Sequence, residues 1–242
     1  FNVTTDTDTL NTAVGYEAGK SMTTGVSNTI LGGTAGDALT DADFNVAVGM
    51  GALSADTLGS KSTAIGQSAL NAQNFTTATD SFNTAVGFQA GLSVTTGQFN
   101  SLIGAQAGLA LTTGGRNTVN GFGALGADTL GSRAVAIGFG ALDAQNFTTA
   151  TDNYNVAVGY DAGGAITTGT QNTIVGSLAL DAADTGAANV AVGYQALTAD
   201  TKGQNNVAVG HNALATQNLT TATNSYNTAV GSQAGLTIST GV

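Results

Sequence analysis

The sequence predicts an all-β chain wound into a parallel β-solenoid, a β-roll whose coils advance in steps of 17, 17, 17 and 21 along the chain. Three observations carry this. A five-residue motif closes on glycine at fixed steps: Gly15, Gly32, Gly49, Gly66, Gly87, Gly104, Gly121, Gly138, Gly159, Gly176, Gly193, Gly210 and Gly231. The motif, as in Asn45-Val46-Ala47-Val48-Gly49, is β-rich and ends in a bend, which suits a short strand. No 3.6-residue apolar stripe persists, and glycine and threonine recur in every coil, which argues against helix. Such regularity marks one stack of like units, not a globular domain around a pocket.

The motif opens on asparagine in eleven of thirteen copies, Ser62 and Ala134 being the exceptions, and alanine stands three residues after every motif glycine. Three steps of 17 and one of 21 form a super-repeat, starting near residues 11, 83, 155 and 227. The marker residues are Asn11, Gly15 and Ala18; Asn45, Gly49 and Ala52; Asn83, Gly87 and Ala90; Asn155, Gly159 and Ala162; and Asn227, Gly231 and Ala234. The asparagines are expected to stack as a side-chain amide ladder. The glycine is expected to take positive φ or allow a close backbone approach. The alanine column implies a volume limit. A second short strand carrying the alanine is expected, as in Gln89-Ala90-Gly91-Leu92-Ser93-Val94, then a turn such as Thr95-Thr96-Gly97. Residues 1–242 read as a single array. Residues 1–10 match the end of a preceding coil, with Val3-Thr4-Thr5 aligning on Phe75-Thr76-Thr77, so the chain is expected to be an excerpt of a longer array or to lack its caps.

The strand faces bear on partners. In Val46-Ala47-Val48 the first and third residues share one face, and the middle residue points the other way. The first and third positions are mostly Thr or Val and Val or Ile, the middle position is apolar throughout, and a strand apolar on both faces is buried on both. One coil covers only one face, so an identical chain is expected on the other, most economically in a homotrimer about a fibre axis. Composition narrows the field further. A net charge of −10 with five Lys+Arg argues against nucleic acid and against electrostatic attachment to anionic membranes. No apolar run is long enough to span a bilayer as a helix. Cysteine is absent, so disulfides and thiolate chemistry are excluded.

Asn155-Val156-Ala157-Val158-Gly159 and Ala134-Val135-Ala136-Ile137-Gly138, each followed by alanine three residues on, resemble the YadA-like head repeats of trimeric autotransporter adhesins. Similar repeats occur in phage tail fibres. The resemblance spans residues 11–242 and implies an intertwined homotrimeric β-roll displayed on a cell surface or virion. The family's coil is shorter and lacks a regular long fourth coil, and no family binding residue maps onto this chain.

The long fourth coil is the candidate surface loop: Asn74, Phe75, Thr76 and Thr77; Asn146, Phe147, Thr148 and Thr149; Asn218, Leu219, Thr220 and Thr221. Repeated display would add weak contacts into avidity. Phe75, Phe147 and Leu219 are expected to fill the wider coil. Asn2, Asn74, Asn146 and Asn218 head Asn-x-Thr sequences and are candidate glycan acceptors in a secretory context. Tyr16, Phe88, Phe122, Phe139, Tyr160 and Tyr194 directly follow motif glycines; they are expected to cover a sheet face, with sugar stacking as the other role. Asp6-x-Asp8 and Asp41-x-Asp43 read as solvated turn aspartates, not a calcium loop. His211 and Glu17 are the only residues of their kinds, and no acid–base set repeats, so no enzyme, metal or cofactor is expected. The function expected is a structural extracellular fibre shaft or adhesin head, trimeric, for host or surface attachment through a glycan or protein receptor. The other reading is an ice-binding or carbohydrate- or surface-binding solenoid.

Overall fold

The computed structural model describes residues 8–240, and among these there is no helix. The described residues form a parallel β-solenoid of thirteen turns. The chain divides into two units, Phe1–Arg116 and Asn117–Val242. The first unit carries the motif strands Thr12–Val14, Thr29–Leu31, Val46–Val48, Thr63–Ile65, Thr84–Val86 and Ser101–Ile103. The second carries Thr118–Asn120, Val135–Ile137, Val156–Val158, Thr173–Val175, Val190–Val192, Val207–Val209 and Thr228–Val230. Within each unit the strands pair in parallel and in motif register: Ala47 lies beside Ala64, and Ala191 beside Ala208.

The expected second strand does not form around the alanine. Gln89 and Gly91 both take φ near +60°, which breaks an extended chain, and the segment coils through successive tight turns closed by Ala90 N–H to Gly87 O and Val94 N–H to Gly91 O. Its amides still reach the next coil, as in Gly91 N–H to Ala107 O at 2.9 Å, so the backbone is satisfied without a ladder. Among the described residues, second strands occur only where a third coil meets a long fourth coil: Gly59–Ser60 with Thr79–Asp80, Gly131–Ser132 with Thr151–Asp152, and Gly203–Gln204 with Thr223–Asn224.

The core is thin, and its filling alternates. The middle residue of each motif strand points inward, and so does the invariant alanine; Ala47, Ala90 and Ala162 are fully buried. Where leucine stands four residues after the motif glycine, as at Leu53, Leu125 and Leu197, it supplies the apolar bulk. Where glycine stands there, the bulk comes from three residues later: Leu39 after Gly36, Val94 after Gly91, Ile166 after Gly163. A Cβ on Gly36 would lie 2.8 Å from Leu39 Cδ1, so the two solutions exclude each other. The motif glycine has one strict cause. Gly49 has φ 132°, and a Cβ there would stand 2.5 Å from the carbonyl oxygen of Gly66 one coil away.

Candidate functional site

The motif asparagine is a backbone clasp. Asn45 Nδ2 donates to Gly59 O at 2.9 Å in the closing turn of its own coil, and its Oδ1 accepts the N–H of Ser62 in the next coil at 2.8 Å. Asn172 does the same with Gly186 O and Asn189 N–H. The expected amide-to-amide ladder is therefore corrected: contacts such as Asn28 Nδ2 to Asn11 Oδ1 at 3.1 Å accompany the clasp, but the main partners are backbone groups. The reason is that the coil's turn and the next strand each leave one buried backbone group within reach of a single carboxamide.

Both exceptions to asparagine fall in long coils, where a residue from the extra loop takes over. Ser62 Oγ bonds Ser81 Oγ and accepts from Gln73 Nε2 at 2.8 Å. Beside Ala134, Asn153 Oδ1 accepts the N–H of Asn155 at 2.9 Å. In the third long coil Asn206 Oδ1 accepts from Ser225 Oγ at 2.6 Å. Asn153 is wholly buried and its Nδ2 has no partner, because Ala134 offers no acceptor.

The long coil is anchored by a buried carboxylate that sequence reasoning missed. Asp56 Oδ1 accepts the N–H groups of Gly59 and Phe75, and Oδ2 accepts from Gln73 Nε2 at 2.6 Å. Gln73 Oε1 in turn accepts from Asn83 Nδ2 at 2.9 Å. The set returns as Asp128, Gln145 and Asn155, and as Asp200, Gln217 and Asn227. Burial pushes the Asp56 and Asp128 carboxyls above their ordinary range, while the donated hydrogen bonds pull against it. The signal was present in the chain: aspartate seven residues after the third glycine and glutamine seven after the fourth, in every super-repeat.

The candidate loop residues separate by position. Asn74, Thr76 and Thr77 are exposed, as are Asn146, Thr148 and Thr149, and Asn218, Thr220 and Thr221. Phe75, Phe147 and Leu219 are buried, with their N–H groups on the anchoring aspartates. The carboxamide oxygens of Asn74, Asn146 and Asn218 accept from Thr57, Thr129 and Thr201 Oγ1. Asn2, Asp6 and the Val3-Thr4-Thr5 match to a preceding coil lie outside the described residues. Asp41 and Asp43 tie turns together, accepting from Thr24 Oγ1 and Val26 N–H. Among the described residues no cluster of three His, Cys, Asp or Glu could hold a metal.

The outward face of the motif strands is uncovered in each unit. Every second residue projects to it: the residue before the motif asparagine, the two flanking strand residues, and the residue after the glycine. Leu31 is 48% exposed and Tyr194 46%, whereas the inward residue between the flanking pair is buried. The residue before the asparagine is left-handed in every coil, from Leu10 (φ 52°) to Tyr226 (φ 51°), which turns its side chain onto this face. In the first unit Lys61, Phe82, Phe99 and Arg116 form one stacked row, with the Phe rings 5.5 Å apart and each cation over a ring. In the second, Phe122, Phe139 and Tyr160 stack at about 5.5 Å, as do Tyr194 and His211. These rings pack their faces on each other, as offset-stacked aromatic pairs prefer. Lys61 pairs with Asp80 and Arg133 with Asp152 at the border of the face.

No protein-family model, curated protein or solved structure matches the chain.

Proposed function

We propose that this chain is a structural segment of an extracellular fibre, a shaft or adhesin head whose copies associate as a homotrimer through the outward face of the motif strands. The observation that carries the reading is that face itself. Within one chain its Val, Ile, Leu, Phe and Tyr side chains stay substantially exposed. Their exposed area is on the order of 1,000 Å² in each unit, beyond the few hundred Å² usual for an uncovered patch and comparable to one side of a standard interface. An identical chain offers a matching surface at every level of the stack. The resemblance to YadA-like head repeats supports the same arrangement and adds cell-surface or virion display. The exposed threonine-rich loops, one per super-repeat, then point away as candidate contacts for a host glycan or protein receptor.

Light scattering after size exclusion tests this. A mass near three times 23.6 kDa is expected. A stable species at 23.6 kDa contradicts the association and returns the chain to the single-solenoid, surface-binding reading.

A further inference from the structure

We propose that Asn74, Asn146 and Asn218 are sites of N-linked glycosylation, one on each long coil, with the sugar carried on the carboxamide nitrogen. The inference rests on the proposed extracellular placement and not on the association between copies.

Asparagine serves two purposes in this chain, and its surroundings separate them. The motif asparagines from Asn28 to Asn206 are buried, and Asn45 shows how both ends of the carboxamide are used, on Gly59 O and Ser62 N–H. The residue two positions on is the inward apolar one, Ala47 after Asn45 and Ile174 after Asn172, so no motif asparagine heads an Asn-x-Ser/Thr sequence. Asn74, Asn146 and Asn218 are exposed instead, and each has threonine two residues on: Thr76, Thr148 and Thr220. Among the described residues no other asparagine heads such a sequence.

The local geometry leaves the reacting atom free. Asn74 donates its N–H to Thr95 O at 3.0 Å, and its Oδ1 stands 3.2 Å from Thr57 Oγ1. Oδ1 therefore faces the preceding coil, while Nδ2 makes no hydrogen bond among the described residues. Asn146 and Asn218 repeat this against Thr129 and Thr201 Oγ1, each at 3.1 Å. The hydroxyls of Thr76, Thr148 and Thr220 are exposed and also bond to nothing among the described residues, so neither packing nor hydrogen bonding accounts for threonine there. The buried residue between changes from Phe75 and Phe147 to Leu219, yet the exposed Asn and Thr on either side do not change. An exposed Asn-x-Thr is the acceptor sequence of N-glycosyl transfer.

In that transfer Nδ2 attacks the anomeric carbon of an oligosaccharide activated as a lipid-linked diphosphate. The N–C bond forms, the bond from that carbon to the diphosphate oxygen breaks, the lipid diphosphate leaves, and one amide proton passes to the transferring enzyme. Oδ1 keeps its place against the threonine, so the coil need not open to carry the product. The sites stand eight residues past a motif glycine, outside the positions that form the outward strand face, which stays uncovered.

The test exports the chain from cells that N-glycosylate secreted proteins, with N2Q introduced because Asn2 heads a fourth Asn-x-Thr sequence. Intact mass is read before and after an amidase that releases N-linked glycans. Sugar is expected at the three sites, each mapped as aspartate after release. T76V/T148V/T220V removes only unbonded hydroxyls and is expected to abolish the sugar with circular dichroism unchanged, whereas T76S/T148S/T220S retains it. A folded, secreted chain at its unmodified mass overturns the inference, and so does sugar that persists in the valine variant. Retention of the folded chain inside the cell removes the extracellular placement, and the sites with it. A glycosylated single-chain species in light scattering removes the association and leaves the sites standing.

Discussion

Gln73 Nε2 donates to Asp56 Oδ2 at 2.6 Å with both residues fully buried, and this bond ties the third coil of the super-repeat to the long fourth. Asp56 also holds the N–H groups of Gly59 and Phe75. Asp56→Ala strands three buried donors at once, so a loss of about 3 kcal/mol or more is expected. Denaturant unfolding measures it, and a change below ~1 kcal/mol would show that the wide coil stands without its anchor.

The carboxyls of Asp56 and Asp128, both fully buried, are raised, with burial the largest cause in each. A carboxyl whose folded pKa exceeds its unfolded one takes up a proton on folding. Its stabilising contribution is complete below the unfolded value, about 4, and is lost as pH rises through the raised folded value. The net charge of −10 acts in the same direction through self-repulsion. The melting temperature is therefore expected to fall as pH rises from about 4 toward neutrality. A melting temperature that climbs over that interval would contradict the assignment.

Asn153 Nδ2 is a buried donor without an acceptor beside Ala134, at the position where the first long coil has Ser62 against Ser81. Ala134→Ser is expected to stabilise by about 1 kcal/mol by supplying the missing oxygen. Ser62→Ala is expected to do the reverse, since Gln73 and Ser81 both lose a partner. Paired melting curves test both, and equal signs for the two substitutions would refute the compensation.

Asn45 clasps Gly59 O and Ser62 N–H, so Asn45→Ala leaves two buried backbone groups unpaired, at an expected cost of about 2–4 kcal/mol. Ala90→Leu and Ala162→Leu overpack a fully buried column and are expected to cost about 1–3 kcal/mol. An unchanged melting temperature for the alanine variants would mean that the column has slack.

The solenoid was legible because its causes repeat: glycine where a Cβ would strike the next coil's carbonyl, asparagine where two backbone groups need one carboxamide, alanine where the layer is thin. The path of the chain after the glycine was not legible. Positive φ at Gln89, Leu53 or Gln195 is carried by residues with no local preference for it, imposed by inter-coil hydrogen bonds. The inward direction of Asp56 was hidden for a similar reason. Aspartate in a turn ordinarily signals solvent, and only its recurrence three residues before Gly59, Gly131 and Gly203 marks it as an anchor. The exceptions Ser62 and Ala134 make sense only beside Ser81 and Asn153, 19 positions on, which a scan of the motif alone does not compare.

The most direct measurement is the solution mass of Ile137→Lys beside that of the native chain. Ile137 projects from the outward strand face, where it is 37% exposed. If copies associate there, the native chain has a multiple of 23.6 kDa, and the lysine variant falls to that single-chain mass with its circular dichroism unchanged. Equal masses for the two chains would contradict the account, whether both are oligomers held elsewhere or both are monomers.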